Sequence, residues 1–356
     1  MRDAEPASAP STNKESWLNR LKVDKYLLLI VSMVVAASFL PARGEAATAF
    51  GWATKVAIGL VFFLHGARLS REAVIGGLTH WKLHLVVLAA TFGLFPLLCL
   101  GIAALPGWIT PPALAGGIVF LGCLPSTIQS SIGFTVIARG NVAAAVAAAS
   151  ASNLLGIVVT PVLVGLLLHA RGAISPGSAW AIVLQLLAPF LAGQLLRGWI
   201  GGWVAAHAKL VQVVDRGSIL LVVYSAFSSA VVGGVWSQIG ALDLARLLML
   251  CLLLLAIVLT ATFFTARTLS FAKPDEIAIV FCGSKKSLAS GVPMAGVLFP
   301  PATAGLALLP LMLFHQLQLM VCAVIAQRYA RRAESGGGHD DPISMGATGP
   351  HGQLGA

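Results

Sequence analysis

Long apolar stretches alternate with short polar connections along most of the chain. Ten apolar segments are long enough, at roughly 20 residues each, to cross the hydrocarbon core of a bilayer. We therefore predict ten membrane-spanning helices within residues 25–333, flanked by a cytoplasmic tail over 1–24 and a disordered cytoplasmic tail over 334–356. The predicted segments are 26–41, 52–70, 83–105, 112–138, 142–169, 178–199, 216–234, 242–269, 276–299 and 303–329.

Composition supports this interpretation. Of 356 residues, 58% are hydrophobic and only 10% charged, whereas a soluble domain carries roughly 25% charged residues. So few charges could not cover a globule of this size, but a bilayer solvates apolar surface directly. The chain is predicted to be an all-α integral membrane protein whose main partner is the lipid bilayer.

The basic residues follow a topological pattern. Of 23 Lys and Arg residues, seventeen fall on the side of the N-terminus, four on the opposite side and two inside the ninth apolar segment. Because Lys and Arg favour cytoplasmic loops, we expect a multi-pass protein of the cell membrane with both termini in the cytoplasm. The basic residues are spread singly between segments, so the net charge of +10 does not indicate a nucleic-acid partner.

The fourth and ninth segments are both interrupted by polar residues. They occupy corresponding places in two halves of five helices, about 25–170 and 177–332, which must then have opposite orientations, as in inverted-repeat transporters. Pro and Gly at membrane depth free backbone groups that only protein or a water-filled cavity can satisfy. We predict substrate or ion binding at these breaks and at the helix after the first one, by Ser126, Thr127, Gln129, Ser130, Ser131, Ser150, Ser152, Asn153, Ser284, Lys285, Lys286, Ser287 and Ser290.

Plainer explanations stand beside this prediction. Small polar residues in membrane helices also serve close helix packing, and the two lysines could extend to the cytoplasmic interface and contact lipid headgroups. His65 could carry a proton or simply cap its helix. His315, Gln316 and Gln318 in the tenth segment could contact the second break or bond between helices.

The two breaks carry a family resemblance. The stretches CLPSTIQSS, ARGN, SASN and FCGSKKSLASG resemble the bile acid:sodium symporter family (solute carrier family 10), in particular its member-7-like branch, and the resemblance covers about residues 24–332. It implies a ten-helix fold in which helices 4 and 9 unwind and cross. It also implies a sodium site, which on matching positions here comprises Ser130, Ser131, Ser150, Ser152 and Asn153.

One part of the family pattern is missing. Where sodium-coupled members carry a Glu and a Gln at the second break, this chain has Ser284 and Leu288, and Lys285 and Lys286 follow Ser284 directly. We hypothesise that one of the lysines substitutes for a sodium ion or makes the site attractive to an anion.

The leading hypothesis is a secondary transporter of a small organic anion, working by alternating access, with Na⁺ as a possible coupling ion and no other cofactor. The resemblance leaves a second class open, a non-transporting or regulatory membrane protein linked to calcium or ion homeostasis. The sequence contains no phosphate-binding loop, paired carboxylates or H-E-x-x-H motif, so we expect no enzymatic activity.

Overall fold

All regular structure in the described part of the chain is helical. The computed structural model describes residues 25–68, 80–169 and 176–336, so most of both predicted tails lies outside it. The helices are α1 (Lys25–Phe39), α2 (Gly44–Arg68), α3 (Trp81–Ala103), α4 (Pro112–Cys123), α5 (Gln129–Ile137), α6 (Val142–His169), α7 (Pro176–Ala206), α8 (Ala208–Val232), α9 (Val235–Gln238), α10 (Ala241–Thr268), α11 (Lys273–Gly283), α12 (Leu288–Leu298) and α13 (Pro301–Gly336).

Six of these helices, α2, α3, α6, α8, α10 and α13, are long and apolar enough to cross a membrane. Their outward surfaces carry large apolar side chains, and on α7 Leu195 and Trp199 are 84% and 86% exposed. Such exposure is unfavourable in water and neutral in lipid, where apolar surface needs no cover. The prediction of an all-α membrane protein is confirmed.

The helices pack in two groups. In the first, α2 packs along α7 and α8, and α1 packs along α8. In the second, α4 packs against α3 and α13, while α11 lies against α5, α6 and α10. Contacts of α8 with α12 and α13, and of α6 with α7, join the groups.

Both predicted interruptions are present. Residues 124–128 separate α4 from α5, and residues 284–287 separate α11 from α12. Leu124 ends α4 in an extended conformation (φ −74°, ψ 152°), which the following Pro125 favours because its ring clashes with a helical predecessor. Ser287 begins α12 as its N-cap, and its side chain accepts a hydrogen bond from the Ser290 N–H.

A third irregularity lies inside α3. Residues Ala90–Leu94 form a π-helical turn, in which the Phe95 N–H donates to the Ala90 carbonyl. The next residue, Pro96, has no N–H. The Thr91 carbonyl therefore lacks the main-chain donor that a regular helix would supply.

Two glycines allow α2 and α7 to touch. A Cβ added at Gly193 would lie 1.9 Å from the Phe63 carbonyl oxygen, and one added at Gly66 would lie 2.0 Å from the Phe190 carbonyl oxygen. Backbone cannot move aside as a flexible side chain can, so both positions require glycine for this helix pair to approach.

We predict that Gly193→Ala destabilises the protein by about 1–3 kcal/mol, the usual cost of overpacking. The matched control is Gly198→Ala on the same helix, where an added Cβ meets nothing within 4 Å. Because Ala is the better helix former, Gly198→Ala should be neutral or stabilising. Thermal unfolding of the purified variants in detergent measures the difference, and equal midpoints for both variants would contradict the argument.

Candidate functional site

The two breaks contact each other directly. The Ser287 N–H donates to the Pro125 carbonyl at 2.9 Å. In the other direction, the Ser126 hydroxyl donates to the Cys282 carbonyl at 2.5 Å and the Ser131 hydroxyl to the Phe281 carbonyl at 3.0 Å. Each break thus supplies donors to backbone groups that the other has freed.

Five consecutive carbonyls at the first break, from Gly122 to Ser126, all have donors. The Pro125 carbonyl takes the Ser287 N–H. The Cys123 carbonyl accepts from the Thr160 hydroxyl at 2.8 Å, and the Ser126 carbonyl from the Asn153 amide at 2.5 Å. The remaining two, Gly122 and Leu124, each lie 2.7 Å from the Lys286 Nζ.

Both lysines of the second break are fully buried, with 0% of each residue exposed. The Lys286 Nζ also donates to the Thr91 carbonyl at 2.8 Å and lies 4.1 Å from the centre of the Phe95 ring. The Lys285 Nζ donates to the Ser130 carbonyl at 3.0 Å and lies 3.8 Å from the centre of the Phe134 ring. Neither side chain reaches the surface, as contact with lipid headgroups would require.

Of the two explanations considered for the polar residues of the tenth segment, contact between α13 and the second break is present. The Gln318 side chain accepts from the Lys286 N–H and donates to the Lys286 carbonyl, both at 2.9 Å. The His315 Nδ1 lies 3.3 Å from the same carbonyl. The main chain of residue 286 is therefore fixed from both sides, independently of its own side chain.

A cavity of about 610 Å³ lies beside the breaks, between the two helix groups. The wall on the side of the breaks contains seven of the predicted residues, Thr127, Gln129, Ser130, Ser150, Asn153, Ser287 and Ser290. The opposite wall comes from α1, α2, α7 and α8, and its members include Tyr26, Ile30, Phe62, His65, Arg68, Phe190, Gln212, Asp215, Arg216 and Ile219.

Charged residues line one part of the cavity. The Arg68 guanidinium donates to the Asp215 carboxylate at 2.6 Å, and the His65 Nε2 lies 3.9 Å from the other oxygen of that carboxylate. The Arg216 guanidinium lies over the Tyr26 ring, 5.1 Å from its centre. With Arg68 paired to Asp215, Arg216 leaves this lining with a net positive charge.

The structure divides the predicted site residues into two sets. Besides the seven that line the cavity, six do not border it: Ser126, Ser131, Ser152, Ser284, Lys285 and Lys286. Their polar atoms hold the breaks together or bond within their own helix; the Ser152 hydroxyl accepts the Ser126 N–H, and the Ser284 hydroxyl donates to the Val280 carbonyl. The lysines are thus not placed for direct contact with an anion in the cavity.

The proposed sodium ligands are largely engaged as well. The Ser131 hydroxyl donates to Phe281, the Ser152 hydroxyl accepts from Ser126, and the Asn153 amide oxygen accepts from the Ser290 hydroxyl at 2.7 Å. Ser130 and Ser150 border the cavity. These hydrogen bonds leave room for a cation, because a hydroxyl that donates its proton keeps its oxygen lone pairs and an amide oxygen has two of them. Sodium binding by these five residues stays a prediction.

Apart from His65, the residues of the far wall are not among those predicted from the sequence. Arg68 and Arg216 belong to the seventeen basic residues on the side of the N-terminus, whose distribution indicates topology alone. A usable signal was present, because Asp215 and Arg216 form an adjacent opposite-charge pair at the start of a predicted span. Which helix group would face the breaks, however, depends on tertiary packing.

Apolar helices, two contacting breaks and a cavity between two helix groups are the features of a multi-pass membrane transporter. Comparison with known proteins gives the family: residues 24–331 match the SBF-like CPA transporter family. The chain belongs to this family.

Named relatives agree with this assignment. The chain is similar to an uncharacterized protein of Pseudomonas aeruginosa, with 55% identity over 88% of this chain and 95% of the relative. It is also similar to the Escherichia coli protein named "Putative symporter YfeH", with 52% identity over 88% and 94%. The rat sodium/bile acid cotransporter 7 is 28% identical over 86% of this chain and 93% of its own length. The family resemblance drawn from the break motifs is confirmed.

We predict that Thr160→Val destabilises the protein by about 1–3 kcal/mol, because it leaves the buried Cys123 carbonyl without a donor. Thr262→Val is the matched control, since that buried hydroxyl donates to the Val258 carbonyl within its own helix, where a backbone N–H remains available. Thermal unfolding midpoints should fall clearly for Thr160→Val only. A similar fall in the unfolding midpoint of both variants would show that the Cys123 carbonyl at the end of α4 does not need its side-chain donor.

Proposed function

We propose that this protein is a secondary transporter of a small organic anion and that it works by alternating access. The observation that carries the proposal is the cavity between the two helix groups, which combines apolar walls with a net positive lining. Binding pockets of this size bury a small organic ligand in apolar surface and orient it with a few polar groups.

The apolar part of the wall suits an organic body. Ile30, Phe62, Phe190 and Ile219 lie on the side of α1, α2, α7 and α8, and Ile157 lies on the side of the breaks. Burial of apolar ligand surface against such side chains is favourable at about 25 cal/mol per Å². The apolar wall therefore supports an amphipathic substrate rather than a bare inorganic ion.

The polar part of the wall suits a negative charge. The first turns of α5 and α12 border the cavity through Gln129, Ser130, Leu288 and Ala289. A helix N-terminus carries partial positive charge, and here two such termini border the same cavity. Together with Arg216 they support recognition of a carboxylate, sulfonate or phosphate group.

Alternating access needs two bodies that can move against each other. We propose that α1, α2, α3, the pair α4 and α5, α6, α7, α8, α10, the pair α11 and α12, and α13 are ten membrane crossings arranged as two inverted repeats. The grouping of α1, α2, α7 and α8 on one side of the cavity supports rocking of this group against the helices that carry the breaks. Opposite exposure of the cavity in two states would move the anion across the membrane.

The proposed setting is the cell membrane, with both termini in the cytoplasm, as the charge asymmetry supports. One relative is named a putative symporter, and another is named a sodium/bile acid cotransporter. For this chain the coupling ion is part of the test, because Ser284 and Leu288 stand where sodium-coupled members carry a Glu and a Gln.

The decisive experiment is a thermal-shift screen of organic anions on the purified protein, each anion with sodium and with choline as the counter-cation. A ligand that binds the folded state raises the unfolding midpoint. Anions that stabilise are then tested for uptake into proteoliposomes. Saturable, protein-dependent uptake of an anion supports the proposal. If anions raise the unfolding midpoint but none of them is taken up, a non-transporting, regulatory protein is favoured instead.

We predict that Arg216→Gln weakens the affinity for the transported anion about 10- to 150-fold, since a hydrogen bond to a charged group contributes about 1.5–3 kcal/mol. The matched control is Arg246→Gln, which removes an arginine that pairs with Asp243 and does not line the cavity. The apparent Kd from thermal-shift titration should change for Arg216→Gln alone. An unchanged Kd in that variant would exclude Arg216 from anion recognition.

A further inference from the structure

The Lys286 ammonium occupies a site built from main-chain oxygens. Three carbonyls, those of Thr91, Gly122 and Leu124, lie 2.7–2.8 Å from its Nζ. A neutral amine has only two N–H donors, whereas an ammonium has three, one for each carbonyl. The geometry is thus that of a bound cation, and the Phe95 ring, 4.1 Å away, offers it a further negative surface.

These carbonyls lack main-chain donors because the backbone is irregular at all three positions. None of them is a group that binds only lysine. Gly122 and Leu124 lie at the end of α4, where helical carbonyls have no partner and the helix dipole is negative. The Thr91 carbonyl is left over by the π-helical turn and Pro96. Rings of main-chain carbonyls are how proteins hold monovalent cations that have lost their water.

The backbone next to the site makes hydrogen bonds that do not involve the lysine side chain. Gln318 bonds both backbone groups of residue 286, and the neighbouring Cys123 carbonyl is held by Thr160. In the described part of the chain, no carboxylate forms an ion pair with Lys286. The positive charge therefore faces carbonyl dipoles and the Phe95 ring, as it would for a bound alkali ion.

We propose that the three carbonyls form a monovalent-cation site that Lys286 fills permanently with its own ammonium group. Wild-type protein then takes no alkali ion at this site, and shortening the side chain converts it into a site for K⁺, Na⁺ or a small primary ammonium ion. The inference concerns the stability of the folded core and does not depend on which substrate the protein carries.

Lys285 provides the internal comparison. Its Nζ has one carbonyl partner, Ser130, and otherwise faces the Phe134 and Phe281 rings. One carbonyl does not make a coordination shell. Lys285→Ala removes an equally buried charge at the residue just before Lys286, and it does not open a cation site.

The test compares unfolding midpoints of wild type, Lys286→Ala, Lys286→Met and Lys285→Ala, each solubilised and purified in equimolar choline, sodium, potassium or n-propylammonium chloride. The propylammonium ion replaces the atoms that the truncation to Ala removes. We expect Lys286→Ala to unfold at lower temperature than wild type in choline and to recover by about 3 °C or more, saturably, with at least one of the three small cations. Lys285→Ala should be destabilised and gain no more from these cations than wild type does.

Lys286→Met keeps the site filled with an uncharged chain of similar length. It should be less stable than wild type in every salt, and its midpoint should not depend on the small cations. Should Lys286→Ala give no monodisperse protein in choline, the monodisperse fraction recovered in the other salts is read instead. The proposal is overturned if Lys286→Ala is not recovered by any cation, if Lys285→Ala recovers equally, or if Lys286→Met is as stable as wild type.

Discussion

Five consecutive carbonyls, from Gly122 to Ser126, must find hydrogen-bond donors where α4 ends in the buried interior. Lipid supplies none, and each unsatisfied group would cost several kcal/mol. The donors come from two other parts of the chain: Thr160 and Asn153 on α6, and Ser287 and Lys286 at the second break. Because these groups must converge on one short segment, the break fixes the relative positions of α4, α6 and α11.

This requirement explains why six of the thirteen predicted residues, both lysines among them, are buried beneath the cavity and do not line it. The hydroxyl groups of Ser126 and Ser131 and the ammonium group of Lys286 donate hydrogen bonds to main-chain carbonyls where the two breaks meet. What remains for a ligand is the outer layer, the first turns of α5 and α12 and the facing wall of α1, α2, α7 and α8. Structural and binding roles are thus divided between neighbouring residues of the same motifs.

Several features could be predicted from the sequence because they depend on local chemistry. Apolar length gives the spans, and Pro125 and the run from Gly283 to Ser287 give the two breaks. Contact of Gln318 with the second break was one of two alternatives for this residue, and it is present. The contacts of the Lys286 side chain could not be predicted, since one of the three carbonyls that it binds, that of Thr91, belongs to a π-helical turn in α3, 195 residues away in sequence. The sodium ligands were proposed from the family resemblance, on residue type and position alone. The hydrogen bonds that these residues make in the fold could not be predicted.

The sequence by itself determined that this is a helical membrane protein of a known transporter family, where its helices break, and which residues are polar at membrane depth. These follow from hydropathy, from the covalent limits of proline and from the break motifs, all of which are local properties of the chain. Only the tertiary structure decided which polar groups satisfy backbone and which face the cavity, and that Arg216 and Asp215 belong to its opposite wall. Those assignments depend on pairs of groups far apart in sequence, whose approach is set by the packing of whole helices and by the need to leave no buried carbonyl without a donor.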